Sequence, residues 1–370
     1  MATFDIVFEG GGAKGTAFVG ALEVLFGAGH KHRRLVGTSA GAITATLLGA
    51  RYSPAEFLLA VNENAPGTND PIFTTFMDAP QASDFSEKQL DESVTSNLLK
   101  QARLPGFTHG LFFRGLMEVE LYRELFSFVE AGGFYSGDAF LDWFRARLRA
   151  KQLDPDIRWK DFAQLTGSDV SVLTADVDEK ESVILNSRTA PDAPVAMSVR
   201  MSMSIPFVWR EVIWEKSWGT YRGRDKTGHR FVDGGVLSNF PIRLVAETDP
   251  HILEIMGSTD PTAAGNLGLL LDERIPVPGA GVSDARKPRL KTAARAMRLV
   301  DAMMGSHDAD AMRSHPTAVC RIPAGGYGTT EFRMSKARMD ALIESGRTAM
   351  QEYLNLRFPT AVKTAAAPGT

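Results

Sequence analysis

The pentapeptide GTSAG (37–41) sets Ser39 between two glycines, after the apolar run RRLVG (33–37) and before a helical pattern over Ala40–Ala50. This is the G-x-S-x-G pattern of a nucleophile elbow, a sharp strand-to-helix turn that presents a serine hydroxyl, with Gly37 and Gly41 leaving room around it. The helix that follows aims free N–H groups and its positive dipole end at Ser39. A second chemistry-bearing stretch, EGGGAKG (9–15), follows the apolar run TFDIVF (3–8). Gly10, Gly12 and Gly15 spell G-x-G-x-x-G between a strand and a helix, the setting of a dinucleotide-binding turn.

Two checks weigh against a nucleotide. A dinucleotide fold places an acid at the end of the second strand, where this chain has RRLVGTSAG. A phosphate loop needs Gly-Lys-Ser/Thr at the helix start, and the order here is Ala13-Lys14-Gly15-Thr16. Neighbouring parallel strands lie about 5 Å apart, so the loop at Gly10–Ala13 reaches Ser39. Its N–H groups then suit the oxygen of a carbonyl under attack.

A serine at neutral pH needs a base. RFVDGGVLSNFPI (230–242) offers Asp233 at the end of a short apolar strand, on the Gly234-Gly235 turn. A Ser-Asp-His triad is the mechanistic rival, with His251, His307 or His315 as its base. A carboxylate base is expected to titrate near or moderately above about 4 and a histidine near 6.5. A nucleotide-binding regulator built on Gly10–Gly15 is the reading from another class. His30 and His32 read as a solvated turn, and DVDEKES (176–182) as a hairpin turn without the glycine and terminal glutamate of a calcium loop. No metal site and no cofactor are expected.

The elements that must position these residues alternate. Strand-like runs at 3–8, 33–37, 169–177, 182–186, 251–257 and 317–322 are interleaved with helical patterns at Thr16–Phe26, Ala40–Ala50, Asp138–Ala150 and Ser335–Tyr353. SPAE (53–56) is a capping box with proline at the first helical position. The pattern predicts an α/β fold with a mostly parallel central sheet. One domain over 1–358 is expected, with insertions near 64–118 and 258–316 and a disordered tail at 359–370. FVWREVIWEKSW (207–218) alternates as a strand packed on the core does, and GLFFRGLMEVELYRELFSFV (110–129) has helical apolar spacing that suits a core, lid or membrane-contacting helix.

In this order, EGGGAKG, GTSAG and VDGGVLSNFP resemble the patatin-like phospholipases. SVRMSMSIPFVWREV (198–212) and the closing helix EFRMSKARMDALIESGRTAMQEYL resemble family segments too. The resemblance implies a three-layer sandwich, a Ser–Asp dyad that uses neither histidine nor metal, and cleavage of acyl esters of phospholipids. Ser39 then matches the nucleophile, Asp233 the base, and Gly10, Gly11 and Gly12 the oxyanion loop. Glu9 and Lys14 stand where the family more often has Asp and Arg.

The chain has 370 residues, 44% hydrophobic and 23% charged, with a net charge of -3. That balance, without a basic run, argues against a nucleic-acid partner. Cys320 is the single cysteine, which excludes an internal disulfide and suits a reducing compartment. With no cationic leader and no apolar run near 18 residues, a soluble cytoplasmic protein touching membrane lipid at its surface is expected. The expected chemistry draws on side chains and N–H groups alone. Hydrolysis of a soluble short-chain ester should therefore persist in excess EDTA, and a large loss restored by calcium or zinc would refute this mechanism.

Overall fold

The computed structural model describes residues 1–68, 70–101, 115–258, 264–281, 295, 298–300, 302–304 and 314–359. Its centre is an eight-stranded sheet. The strands are β1 (Thr3–Phe8), β2 (Lys31–Thr38), β3 (Asp169–Asp176), β4 (Glu181–Leu185), β5 (Val212–Ile213), β6 (Arg230–Asp233), β7 (Gly265–Pro276) and β8 (Val319–Gly325). Five run parallel in the order β8-β7-β1-β2-β3, and β4 and β6 pair antiparallel with β3, as β5 does with β6.

Period-two alternation divides the sheet's side chains between two cores. Phe4, Ile6, Phe8 and Leu35 join the larger cluster with Phe18, Leu22, Leu342 and Met350. Val7, Val36 and Leu173 point the other way, onto Phe240, Ile242, Ile252, Ile255 and Met256. Both faces are covered by helices, so the architecture is three-layered, as expected. The principal helices are α1 (Ala17–Gly27), α2 (Ala40–Gly49), α3 (Pro54–Val61), α4 (Asp138–Ala150), α5 (Val195–Ser202), α6 (Pro250–Met256) and α7 (Lys336–Arg357). The box at Ser53 forms as read: its side chain accepts from the Glu56 N–H, and the Glu56 carboxylate accepts from the Ser53 N–H at 2.9 Å.

One element differs in kind. The segment 251–257, expected as a strand, is helix α6. Asp249 caps it by accepting from the N–H groups of His251 and Ile252, and Pro250 occupies the first helical position. A cap followed by proline outweighs the β-branched content, and Ile252, Ile255 and Met256 fall at helical spacing. The strand lies further on: β7 pairs with both β1 and β8, inside the stretch 258–316 expected as an insertion. Its run LGLLL is buried on both faces, as a central parallel strand requires. In 64–118, the described residues form short helices such as Ile72–Phe76 and Val94–Gln101. The tail from 360 onward lies outside the described residues.

The expected core strand at 207–218 forms in two short pieces, Phe207–Trp209 and β5, and buries Trp209, Trp214 and Trp218. The turn at 177–180 does join a hairpin, β3 to β4. Fully buried Lys226 donates from Nζ to Asp176 at 2.8 Å, Glu179 at 2.7 Å and Glu181 at 2.6 Å. His229 Nδ1 lies 2.8 Å from Asp176 Oδ2. Asp176, Glu179 and His229 are grouped closely enough to hold an ion, but the Lys226 ammonium already supplies the positive charge there. This cluster fixes the entry to β6, the strand that carries Asp233. Lys226→Met leaves Asp176 buried without its cation and should cost about 3 kcal/mol in urea unfolding at pH 7. A change under about 0.5 kcal/mol would show that the cluster does not hold the strand.

Candidate active site

Ser39 and Asp233 meet because two strands share one edge of β3. The end of β2 pairs Thr38 with Leu173, and the end of β6 pairs Asp233 with Thr174, the next residue along. Strand β4 occupies the opposite edge over Val172–Asp176. Strands β2 and β6 therefore approach end to end, antiparallel, and their C-terminal residues converge.

Ser39 has φ 54° and ψ −121°, the strained turn of an elbow, and is 1% exposed. A non-glycine residue at positive φ is a costly conformation that persists where its surroundings hold it. The Ser39 N–H donates to Ser202 Oγ at 2.9 Å. Tight packing surrounds the turn: a Cβ on Gly37 would strike the Gly41 carbonyl, and one on Gly41 would strike that of Phe8.

Asp233 is wholly buried. Its N–H donates to the Ser204 carbonyl at 2.8 Å, and Oδ1 accepts from the Gly235 N–H at 2.8 Å. Oδ2 has no hydrogen-bond partner among the described residues. Burial pushes the carboxyl from its usual 3.8 up to about 7, with the Ser39 side chain and the Gly235 N–H pulling partly back. The sequence expectation of a value near 4 is thus displaced by desolvation, which disfavours the charged form.

Residues of α5 and the turn after it brace both groups, Ser202 against the Ser39 N–H and Ser204 against the Asp233 N–H. Arg200, buried, donates to Ser204 Oγ and to the Ser136 carbonyl. Desolvation lowers its pKa to about 10, so it keeps its charge at pH 7.

The glycine loop lies alongside. A Cβ on Gly10 would sit 3.2 Å from Ser39 Cβ, and one on Gly15 would sit 2.5 Å from Ala40 Cβ. Gly12 has φ +54°, which favours glycine, and packs on the Thr329 carbonyl. The Gly10 N–H is already engaged, donating to the Asn239 carbonyl at 3.1 Å. Among the described residues, the N–H groups of Gly11 and Gly12 donate to no other group. Glu9 pins the loop's start, accepting from the Leu271 N–H at 2.5 Å and from Asn239 Nδ2 at 3.2 Å. Lys14 pins its far end, donating to Glu273 and, at 3.1 Å, to Thr329 Oγ1. Gly234 and Gly235 press against the Leu173 carbonyl and Asn239 Oδ1, where a Cβ would come within 2.6 Å in each case.

Asn239, Ser202, Ser204 and Arg200 were not singled out by the sequence. Asn239 stood within VDGGVLSNFP, but no spacing rule marks it as a partner of a loop 229 positions earlier.

Ser39 and Gly12 open into an apolar pocket with about 800 Å³ of atom-free space, mouth included. Ile43, Phe57, Phe76, Phe140, Trp143 and Trp209 are among its walls. That lining suits a hydrophobic ligand. Of the candidate histidines, His251 lies exposed at the start of α6 and His315 precedes a short 3-10 turn; neither hydrogen-bonds Ser39 or Asp233. His307 lies outside the described residues.

Residues 6–246 match the patatin-like phospholipase family. The chain belongs to that family. It is 28% identical over 362 residues to the uncharacterised protein YqhO of Bacillus subtilis, covering 95% of this chain and 97% of that one. A protein of Invertebrate iridescent virus 6, described as a probable lipid hydrolase, is 22% identical over 64% of this chain and 61% of its own. VipD from Legionella pneumophila, a solved structure, aligns with a TM-score of 0.44 at 16% identity, over 95% of this chain and 67% of that one.

The raised carboxyl pKa has a consequence for stability. The unfolded chain releases the Asp233 proton near 4 and the folded chain near 7. The folded state therefore binds the extra proton between those values, and its stability falls as pH rises through that window. Asp233→Asn removes the titration at nearly constant shape. Its stability gain over the parent should be small at pH 4 and reach about 3–4 kcal/mol at pH 8. Equal gains at both values, by chemical denaturation, would refute a carboxyl that is neutral in the folded state at acid pH.

Proposed function

We propose that the protein is a serine lipid acyl hydrolase that cleaves carboxylic acyl esters of glycerophospholipids. The observation that carries this reading is the elbow serine at the foot of an apolar pocket, beside a buried carboxyl with one unpartnered oxygen. Family membership and the viral relative described as a probable lipid hydrolase support it.

In this mechanism the acyl chain lies along the pocket, with its carbonyl above Ser39. Asp233 accepts the hydroxyl proton as Oγ attacks the carbonyl carbon. A base with pKa about 7 is matched to work near neutral pH. The tetrahedral oxyanion is held by the N–H groups of Gly11 and Gly12, with Gly10 shaping the loop through its bond to Asn239. Asp233 returns the proton to the departing alkoxide, leaving an acyl ester on Ser39. Water then attacks that ester, its proton passes to Asp233, and the acid product leaves as Ser39 regains a proton. The roles of Gly15, Gly37, Gly41, Gly234 and Gly235 are steric, allowing the strand ends and loop to pack. No step calls on a metal or a cofactor. The substrate is a lipid, reached through peripheral contact with a membrane surface. Among the described residues no helix is long and apolar enough to cross a membrane.

The nucleotide reading of Gly10–Gly15 gains nothing from the pocket, whose walls beside Gly12 and Gly15 are apolar and where Lys14 is already engaged.

The test is kcat on one monomeric ester for five variants, with folding checked by circular dichroism. Ser39→Ala and Asp233→Asn should each lose at least about 10³-fold, because nucleophile and base act as a unit. His251→Ala, His307→Ala and His315→Ala should each lose far less. One dead histidine variant beside an active Asp233→Asn would establish the triad instead. For the parent enzyme, kcat/KM should fall as pH drops through about 7, the value set by burial of Asp233.

A further inference from the structure

A second, open cavity adjoins the apolar pocket and is different in character. It encloses about 1330 Å³ of atom-free space, its mouth included, between the segment 62–74 and the start of α7. Pro71, Met334 and Met339 line both cavities, so the two are immediate neighbours. Its remaining lining includes Asn62, Asn64, Asp70, Thr74, Arg333 and Lys336.

Three features of this vestibule bear on what it holds. Arg333 is exposed and makes no ion pair or hydrogen bond among the described residues. Lys336 beside it is shared between Asp340 at 3.0 Å and Asn62 at 3.4 Å. Asp70 lines the same cavity without pairing with either cation. The vestibule therefore presents a free guanidinium and a free carboxylate that do not neutralise each other.

The segment that leads to Arg333 is tied to the glycine loop. The Ala13 N–H donates to the Thr329 carbonyl at 3.0 Å and Lys14 Nζ to Thr329 Oγ1 at 3.1 Å, a short stretch of chain before Arg333. A ligand whose carbonyl sits over Ser39 thus has an apolar cavity for its chain and a charged one within reach of its polar end.

We infer that the vestibule is a headgroup subsite for a single-chain lipid carrying a zwitterionic phosphodiester. Arg333 binds the phosphate, for which its planar fork of donors is suited, and Asp70 faces the ammonium. This inference rests on the acyl hydrolase reading for the placement of the ester, and not for the binding itself.

The experiment compares lysophosphatidylcholine with the monoacylglycerol of the same chain, both as monomers. The parent should prefer the phospholipid by about tenfold in kcat/KM, carried by KM, the size expected of one charge-assisted contact. Arg333→Gln should collapse that preference by raising KM for the phospholipid. Asp70→Asn should weaken lysophosphatidylcholine relative to lysophosphatidic acid, which lacks the ammonium. Equal KM values for the two parent substrates, or a preference unmoved by Arg333→Gln, would overturn the subsite.

Binding separates this failure from failure of the hydrolase reading. Calorimetry on the Ser39→Ala protein with an ether-linked lysophosphocholine and the matching alkylglycerol should show the same preference, sensitive to Arg333→Gln. A parent that cleaves no ester but shows this preference keeps the subsite and loses the hydrolase. A parent that cleaves both esters and binds both ether lipids alike keeps the hydrolase and loses the subsite.

Discussion

The site depends on one edge of one strand. Leu173 and Thr174 are consecutive in β3, and they receive the last residues of β2 and β6 from opposite directions. A parallel and an antiparallel partner can share an edge only if both stop there. Each chain must then leave the sheet sharply, one through the elbow at Ser39 and the other through the Gly234-Gly235 turn. The meeting of a hydroxyl and a carboxyl is thus a property of sheet register. A slip by one residue would turn each side chain to the opposite face.

That meeting is costly. A wholly buried carboxyl has lost its hydration, and the structure returns only part of it through the Gly235 N–H and the Ser39 side chain. Burial sets this cost and makes the carboxylate more basic for the same reason, because low polarity disfavours its charged form. The strained serine backbone is a second cost. Both are borne by a rigid surround, in which α5 and its turn supply Ser202 Oγ to one backbone N–H and the Ser204 carbonyl to the other. Arg200 ties that turn to Ser136 and so to the helix α4 that walls the pocket.

The glycine loop is fixed from three directions. Glu9 joins its start to β7, Asn239 joins it to the turn after β6, and Lys14 joins its end to Glu273 and Thr329. Glutamate at position 9 reaches both the Leu271 N–H and Asn239, so this family departure is accommodated within the loop's own anchoring. The departure at Lys14 likewise retains a buried cation that bridges two elements.

Much of this was legible in the sequence where chemistry and geometry are local. The elbow at GTSAG, the glycine turn after β1, the cap at Ser53 and the alternation of strands and helices each depend on a few adjacent residues. Where local signals conflicted, reading failed: 251–257 has the apolar content of a strand, but Asp249 and Pro250 make it a helix, and β7 lay within a Gly- and Pro-rich stretch. The sequence by itself determined which residues carry reactive groups and how the chain turns beside each. Only the tertiary structure decided that β2 and β6 end at neighbouring residues of β3, that the Gly10 N–H goes to Asn239, and that Asp233 is dry enough to titrate near 7. Those outcomes depend on groups brought together from distant parts of the chain, and desolvation has no signature in any one segment.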